Sequence, residues 1–449
     1  MKHQSQQKKG RLASRKYLSA DPLFEGLHKD FLGVSDYREG NPEISMADAL
    51  MSGFAVFSLK DPSLLAFDKR RQAAENLESI YHVESIPCDS QMRTILDEVD
   101  PVEIRPAYKN IFSKLQRGKA LERLAFFQGC YLLSLDGTGY FSSKKIFSDN
   151  CLQKVNKKTG EITYYQQMLG AAIVHPDLKE VIPLAPEFII KQDGQSKNDC
   201  ERNAAKRFFD SLRKDHPHLP VIITEDALSS NAPHIREAEK YNLHYILGVK
   251  KGDHPFLFRK VEEAQENGEA VQFELVDNDN PQKTHRFLFV NHLPLNESNQ
   301  DLLINFLEYW EITSEKTQHF SWVTDFTITN GNSYELMRGG RARWKIENET
   351  FNTLKNQGYH FGHNYGLGKK NLSVVFVMLM MLAFLVDQTQ QLCCPLFRAT
   401  WHKMGSKREL WDRMRSLFRD FAFKSMRMLY EALFYGMKFQ PPIILYDDD

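Results

Sequence analysis

Three carboxylates far apart in the chain sit where acids could do chemistry. Asp136 follows the apolar run Tyr131-Leu-Leu-Ser-Leu and precedes Gly137, and Asp226 follows Pro220-Val-Ile-Ile-Thr-Glu. Glu347 lies inside Arg341-Ala-Arg-Trp-Lys-Ile-Glu-Asn-Glu-Thr-Phe-Asn-Thr-Leu-Lys355, flanked by basic residues. Buried carboxylates brought together repel one another unless a cation lies between them. Mg²⁺ takes oxygen ligands, keeps several waters and pairs with phosphate. Two such ions about 3.5–4 Å apart would activate a water or a 3′-hydroxyl and stabilise the leaving oxygen of a phosphodiester. Arg343, four residues before Glu347, would share its helical face and meet the phosphate.

Each acid also has a structural reading. Asp136-Gly137 is a turn signal, Asp226 could cap the helix that follows it, and Arg343 with Glu347 could be a surface ion pair. Glu349 competes with Glu347 as third ligand. Glu225 points to the opposite face if its strand continues, and Glu201 reads as a surface residue. His360 and His363 lack the further ligands that a metal pair needs.

These residues require a sheet to hold them. Tyr131 onward, Ile162 to Val174, Glu180 to Pro186, Pro220 to Asp226 and His244 to Lys250 read as strands. Asn198 to Lys214 and residues 233–242 read as helices. Three strands, a helix, a strand, a helix and a strand give the element order of a ribonuclease H-like α/β fold, a mixed sheet flanked by helices. Arg341 to Lys355 then reads as one helix, stopped by Gly358, with Trp344, Ile346, Phe351 and Leu354 as its packing surface.

The remaining composition sets the boundaries. A basic tail (1–20) precedes a helical domain (21–128) in which Ser45 is a helix cap and a DNA-contacting role is weighed. The core (129–250) is followed by an inserted β-rich subdomain (251–335), the acidic helix (336–368) and a helical C-terminal region (369–449). With 449 residues, 42% hydrophobic and net charge zero, the chain is globular, and overall charge announces no nucleic-acid partner. Six cysteines without metal-ligand spacing and no apolar leader point to a reducing, cytoplasmic setting. Leu372 to Val386 is apolar but only 15 residues long, which reads as a core helix and not a membrane span.

The motifs resemble those of DDE transposases of bacterial insertion sequences, in the branch with a Tyr-Arg-Glu-Lys signature. Leu135-Asp136-Gly-Thr is similar to the first acidic motif, Ile223-Thr-Glu-Asp226-Ala-Leu to the second, and Arg343-Trp-Lys-Ile-Glu347-Asn-Glu to the third. The run Phe351 to Gly366 also resembles this branch. The resemblance implies cut-and-paste transposition: metal-dependent cleavage at the element's terminal inverted repeats and strand transfer into target DNA. It implies Asp136, Asp226 and Glu347 as ligands of two Mg²⁺, with Mn²⁺ able to substitute, and Arg343 and Lys355 on phosphate. Double-stranded DNA and a second copy of the chain are the implied partners. In similar transposases an aromatic in the inserted subdomain stacks on a flipped base, whereas Trp322 itself reads as a core or surface residue. Two positions depart from the pattern. The signature Tyr falls on Gly340, and the Lys expected seven residues after Glu347 is Leu354, with Lys355 one further. A nuclease of the same fold that does not join ends, and a catalytically silent DNA-binding relative, are the alternative readings.

Overall fold

Strand β1 (Tyr131–Ser143) lies within an 11-stranded sheet that crosses the molecule. The structure is a computed structural model that describes residues 15–70, 74–189, 200–277 and 280–437. The basic tail as far as residue 14 and the acidic end Asp447 to Asp449 fall outside the described residues. On one side β1 pairs antiparallel with β3 (Ile162–Val174), beyond which lies β2 (Leu152–Val155). The short β4 (Ile182–Pro183) and β5 (Glu187–Ile189) also pair with β3. On the other side β1 runs parallel to β6 (Val221–Glu225), and β6 parallel to β7 (His244–Gly248). Every residue of β6 is buried, as a central parallel strand covered on both faces requires.

The β-rich stretch beyond residue 251 continues this same sheet. Strand β11 (Thr317–Thr324) pairs antiparallel with β7, followed outward by β10 (Asn299–Ile312), β9 (Thr284–Asn296) and β8 (Val271–Val276).

Helices α1 (Ala20–Phe31), α2 (Met46–Ser58), α3 (Leu64–Arg70), α4 (Ala74–Tyr81), α5 (Asp89–Asp97) and α6 (Arg105–Arg117) precede the sheet. Ser45 caps α2, its hydroxyl accepting from the Asp48 amide. Helix α7 (Glu201–Asp215) leads into β6, and α8 (Ala232–Lys240) makes the crossover between parallel β6 and β7. Helix α9 (Pro255–Glu266), absent from the sequence reading, packs on β9. Helices α10 (Ser333–Arg341) and α11 (Asn352–Asn356) flank the third acid; α12 (Leu372–Cys393), α13 (Pro395–Met404), α14 (Lys407–Asp420) and α15 (Met426–Tyr435) follow.

Several expectations need correction. Strand β1 does not end at Asp136 but runs through Gly137 and Gly139 to Ser143, because β3 pairs with it along that length. Of the expected strand from Glu180 to Pro186, Ile182–Pro183 pairs as β4, and β5 begins only after it, at Glu187. The apolar run from Leu372 continues past Val386 through Asp387 to Cys393, giving a 22-residue helix whose every residue is buried. Among the described residues this is the helix long and apolar enough to cross a bilayer, and its apolar window is enclosed by the protein.

Asp387 is tolerated there because Lys60 meets it. Lys60 Nζ lies 2.6 Å from Asp387 Oδ2, and the Tyr359 hydroxyl donates to the same oxygen at 2.5 Å. The ammonium also lies 4.4 and 4.3 Å from the ring centroids of Tyr359 and Trp411. Burial pulls the Lys60 pKa down while Asp387 holds it up. The cluster joins the end of α2, the segment after the third acid, α12 and α14. Asp387→Ala strands a buried ammonium and should cost about 3–5 kcal/mol in urea unfolding, whereas Lys60→Met combined with Asp387→Leu should recover most of that loss.

A second joint holds α6 to the end of α7. His216 packs its ring 4.2 Å from Phe112, and Arg105 reaches Asp215 at 3.4 Å. Burial pushes the His216 pKa down to about 4, against the partial opposing pull of Asp215. The unfolded chain takes up this proton near pH 6.5 and the folded chain only near 4, so stability should fall across that window as pH falls, by at most about 3 kcal/mol. His216→Phe should flatten this part of the stability curve measured by chemical unfolding at pH 7 and pH 4.5.

Candidate active site

One face of β1 carries the residues around which the site is built. Ser134, Asp136 and Thr138 alternate onto that face. The Ser134 hydroxyl donates to the Arg343 carbonyl at 2.9 Å, and Lys355 Nζ donates to Thr138 Oγ1 at 3.4 Å. Between them, Arg343 Nη1 lies 3.6 Å from Asp136 Oδ2 and 2.9 Å from Glu347 Oε1. Parallel pairing with β6 extends as far as Ser134 opposite Thr224. Asp136, within β1, and Asp226, just past the end of β6, each lie two residues beyond that pair. Asp226 begins the turn into α8, its Oδ1 accepting from the Leu228 amide at 2.9 Å.

The segment carrying Glu347 is not the single α-helix that the sequence suggests. Helix α10 ends at Arg341, residues 346–351 form a π turn, and α11 closes the segment. Ile346, Phe351 and Leu354 are buried, as expected, but Trp344 is 48% exposed, with the Arg343 guanidinium 4.2 Å from its ring centroid. A π turn spends one more residue per hydrogen-bonded loop than an α turn. Lys355, eight residues after Glu347, reaches the β1 face across this turn. Gly170 stands opposite Asp136 in the antiparallel register, and the Phe351 ring fills the space that its missing side chain leaves.

Asp136, Asp226, Glu347 and Arg343 line one cavity of about 850 Å³. Burial, and then the neighbouring Glu347 carboxylate, push the Asp136 pKa up to about 7, with Arg343 offsetting part of the shift. The donors are carboxylate oxygens throughout, a set that suits a hard cation such as Mg²⁺. Such a cation would relieve the same repulsion that raises Asp136. Among the described residues, however, no three His, Cys, Asp or Glu side chains are gathered so as to hold a metal ion. Arg343 is the positive charge that bridges Asp136 and Glu347.

Two acids that the sequence reading set aside also belong to this neighbourhood. Glu201 is exposed, as the sequence suggests, yet its carboxyl packs against Gly137, and partial covering of the carboxyl together with Asp226 and Glu225 raises its pKa. Glu225 is buried beside Asp226 and lies 3.0 Å from His234 Nε2 on α8. Burial alone would lower the His234 pKa, but Glu225 raises it. Glu201, Glu225 and His234 line a further cavity of about 430 Å³ that also touches Asp136 and Asp226. The spacing of Glu201 at the first turn of the helix before β6 was the one available signal. Glu349 does not line the main cavity.

Trp322 is 5% exposed and stacks on Phe320. A Cβ at Gly340 would collide with the Trp322 indole of β11. This leaves little of Trp322 open to a base. His363 packs edge-on against Tyr365, and His360 adopts a left-handed backbone with φ 57°. Many of the C-terminal basic residues are held in local ion pairs, including Arg413 with Glu409 and Arg427 with Glu431.

No family model and no curated protein matches this chain. Among solved structures, the chain is similar to the cryo-EM structure of a piggyBac transposase synaptic complex with hairpin DNA. The identity is 10% and the TM-score 0.41, over 95% of this chain and 83% of that one. At that identity and score the likeness carries no argument.

The seat of Phe351 provides a test of how Glu347 is held. A Cβ at Gly170 would lie 2.8 and 2.9 Å from two Phe351 ring carbons, whereas at Gly139 the nearest atom is 3.8 Å away. Gly170→Ala should destabilise the protein by about 1–3 kcal/mol through overpacking, and Gly139→Ala by less than about 1 kcal/mol, measured by urea unfolding.

Proposed function

We propose that the chain is a DNA-processing enzyme of the DDE transposase type, built on a ribonuclease H-like core, that cuts at the ends of its element and joins them to target DNA. The observation that supports this most is that Asp136, Asp226 and Glu347, drawn from three distant parts of the sequence, line one cavity with Arg343 among them. The bacterial insertion-sequence branch, the terminal inverted repeats as substrate, a dimer on DNA and a cytoplasmic setting rest on the sequence motifs.

Asp136, Asp226 and Glu347 would hold two divalent cations. Bound there, the cations would supply an activated hydroxyl and stabilisation of the departing oxygen. The protein's own groups do the rest. Arg343, restrained by the Ser134 contact and by stacking on Trp344, presents a guanidinium to a phosphate oxygen. Lys355, placed at Thr138 by the π turn, offers a second cation on the same strand face. Phe351 packed on Gly170 keeps the Glu347 segment seated against β1 while charge builds up nearby.

A second reading, a DNA-binding relative without catalysis, is favoured by one feature: the acids are not gathered as a metal site, and Arg343 bridges two of them. The two separate in one assay. Precut DNA ends bearing free 3′-hydroxyls, offered with a target plasmid and Mg²⁺ or Mn²⁺, should yield joined products. Asp136→Ala should abolish joining and cleavage while leaving DNA affinity within about twofold. Cleavage without joining would identify a nuclease, and identical behaviour of wild type and Asp136→Ala would identify the silent relative.

A further inference from the structure

A second cavity, of about 200 Å³, lies beside the carboxylate cavity and shares Arg341 with it. Its charged lining is Lys283, Arg338, Arg341 and Lys345 against the single carboxylate of Glu311, with Tyr309 and Tyr334 adding hydroxyls. Glu311 is shared, lying 2.7 Å from Arg341 and 3.0 Å from Lys283. Arg338 turns outward to Asp177, whose side chain is largely exposed. Lys345 differs from the others. It donates to the Leu178 carbonyl at 2.6 Å and forms no ion pair among the described residues. Its ammonium is half-covered, and burial lowers its pKa. Glu349, Asp177 and Glu180 oppose that effect electrostatically, so what favours an anion is the pocket's excess of cationic side chains over its one lining carboxylate.

We propose that this cavity is a phosphate-binding site that takes a backbone phosphate of the DNA whose neighbouring phosphodiester enters the carboxylate cavity. The proposal rests on the DNA-processing reading above. The geometry that supports it is the position of Arg341. This residue lines both cavities, and its guanidinium lies 4.9 Å from the Phe320 ring centroid, so it stands between the acids and the cationic pocket. The acids repel a bare phosphate. A pocket of opposite sign next to them holds the strand in register without using the carboxylates.

The test compares wild type with Lys345→Gln and the charge-keeping Lys345→Arg, after thermal unfolding shows that each is folded. Inorganic pyrophosphate, titrated calorimetrically, should bind wild type and Lys345→Arg, and should bind Lys345→Gln about tenfold more weakly. For a short duplex, the slope of log affinity against log salt concentration should shrink in magnitude by about 1 in Lys345→Gln and stay unchanged in Lys345→Arg. If wild type binds duplex DNA and Lys345→Gln keeps the same slope, the proposal is overturned while the DNA reading stands. If pyrophosphate binds as expected but wild type binds no DNA, the cavity takes a free phosphate ligand instead, and both the DNA reading and this proposal fall. Equal pyrophosphate binding by all three proteins removes Lys345 from the site and overturns the proposal as well.

Discussion

Everything at the candidate site depends on a carboxylate, Asp136, held part-buried on a strand paired with β3 along its length and with β6 up to Ser134. Strand β1 is pinned on both sides, antiparallel to β3 and parallel to β6, so its side chains inherit the stiffness of the sheet. The face bearing Ser134, Asp136 and Thr138 then acts as a template on which the segment from Arg343 to Lys355 is laid down. Burial makes the charge on Asp136 costly, and the proximity of Glu347 makes it more so. Arg343 is the protein's own partial answer, since one guanidinium serves both acids. An arrangement that penalises its own negative charge this strongly favours either a proton or a positive ligand there, which is the physical basis of the metal proposal.

The fold was largely legible where burial is periodic or continuous. Ile162 to Val174 and Pro220 to Asp226 read as strands from their apolar runs, and β3 and β6 lie there. Helix α7 was visible from Ala204, Ala205, Phe208, Phe209 and Leu212 on one face. What failed did so for identifiable reasons. Asp136-Gly137 looks like a turn because Gly and Asp are turn residues, yet a long antiparallel neighbour carries the strand through them. The π turn was invisible because hydrophobic periodicity reports which face is buried, not which carbonyl each amide reaches. The pairing of β7 with β11 joins segments far apart in sequence, so the sequence pattern gave no reason to place the later strands in the same sheet.

At the site itself, the positions of Asp136, Asp226, Glu347 and Arg343 in one cavity could be anticipated from motif and strand order. Glu201 offered only its place in the first turn before β6, since its approach to the site depends on a glycine 64 positions earlier whose missing side chain lets the carboxyl come close. The contact of Gly340 with Trp322 was hidden, because β11 and α10 must pack before the indole meets the glycine.

The buried pairing of Lys60 with Asp387 spans 327 residues, and this separation bears on how the chain comes to be folded. Helix α2 is apolar around its whole circumference and packs against α12. Helices α1, α4 and α5 cover part of it early, but the side that meets α12 stays open until that much later helix is made. The earliest helices are therefore among the last to settle, and closing so long a loop is slow compared with local pairing in the sheet. In the interval one apolar side of α2 and the Lys60 ammonium lack their final partners, the kind of exposed surface that makes a partly folded chain prone to aggregate.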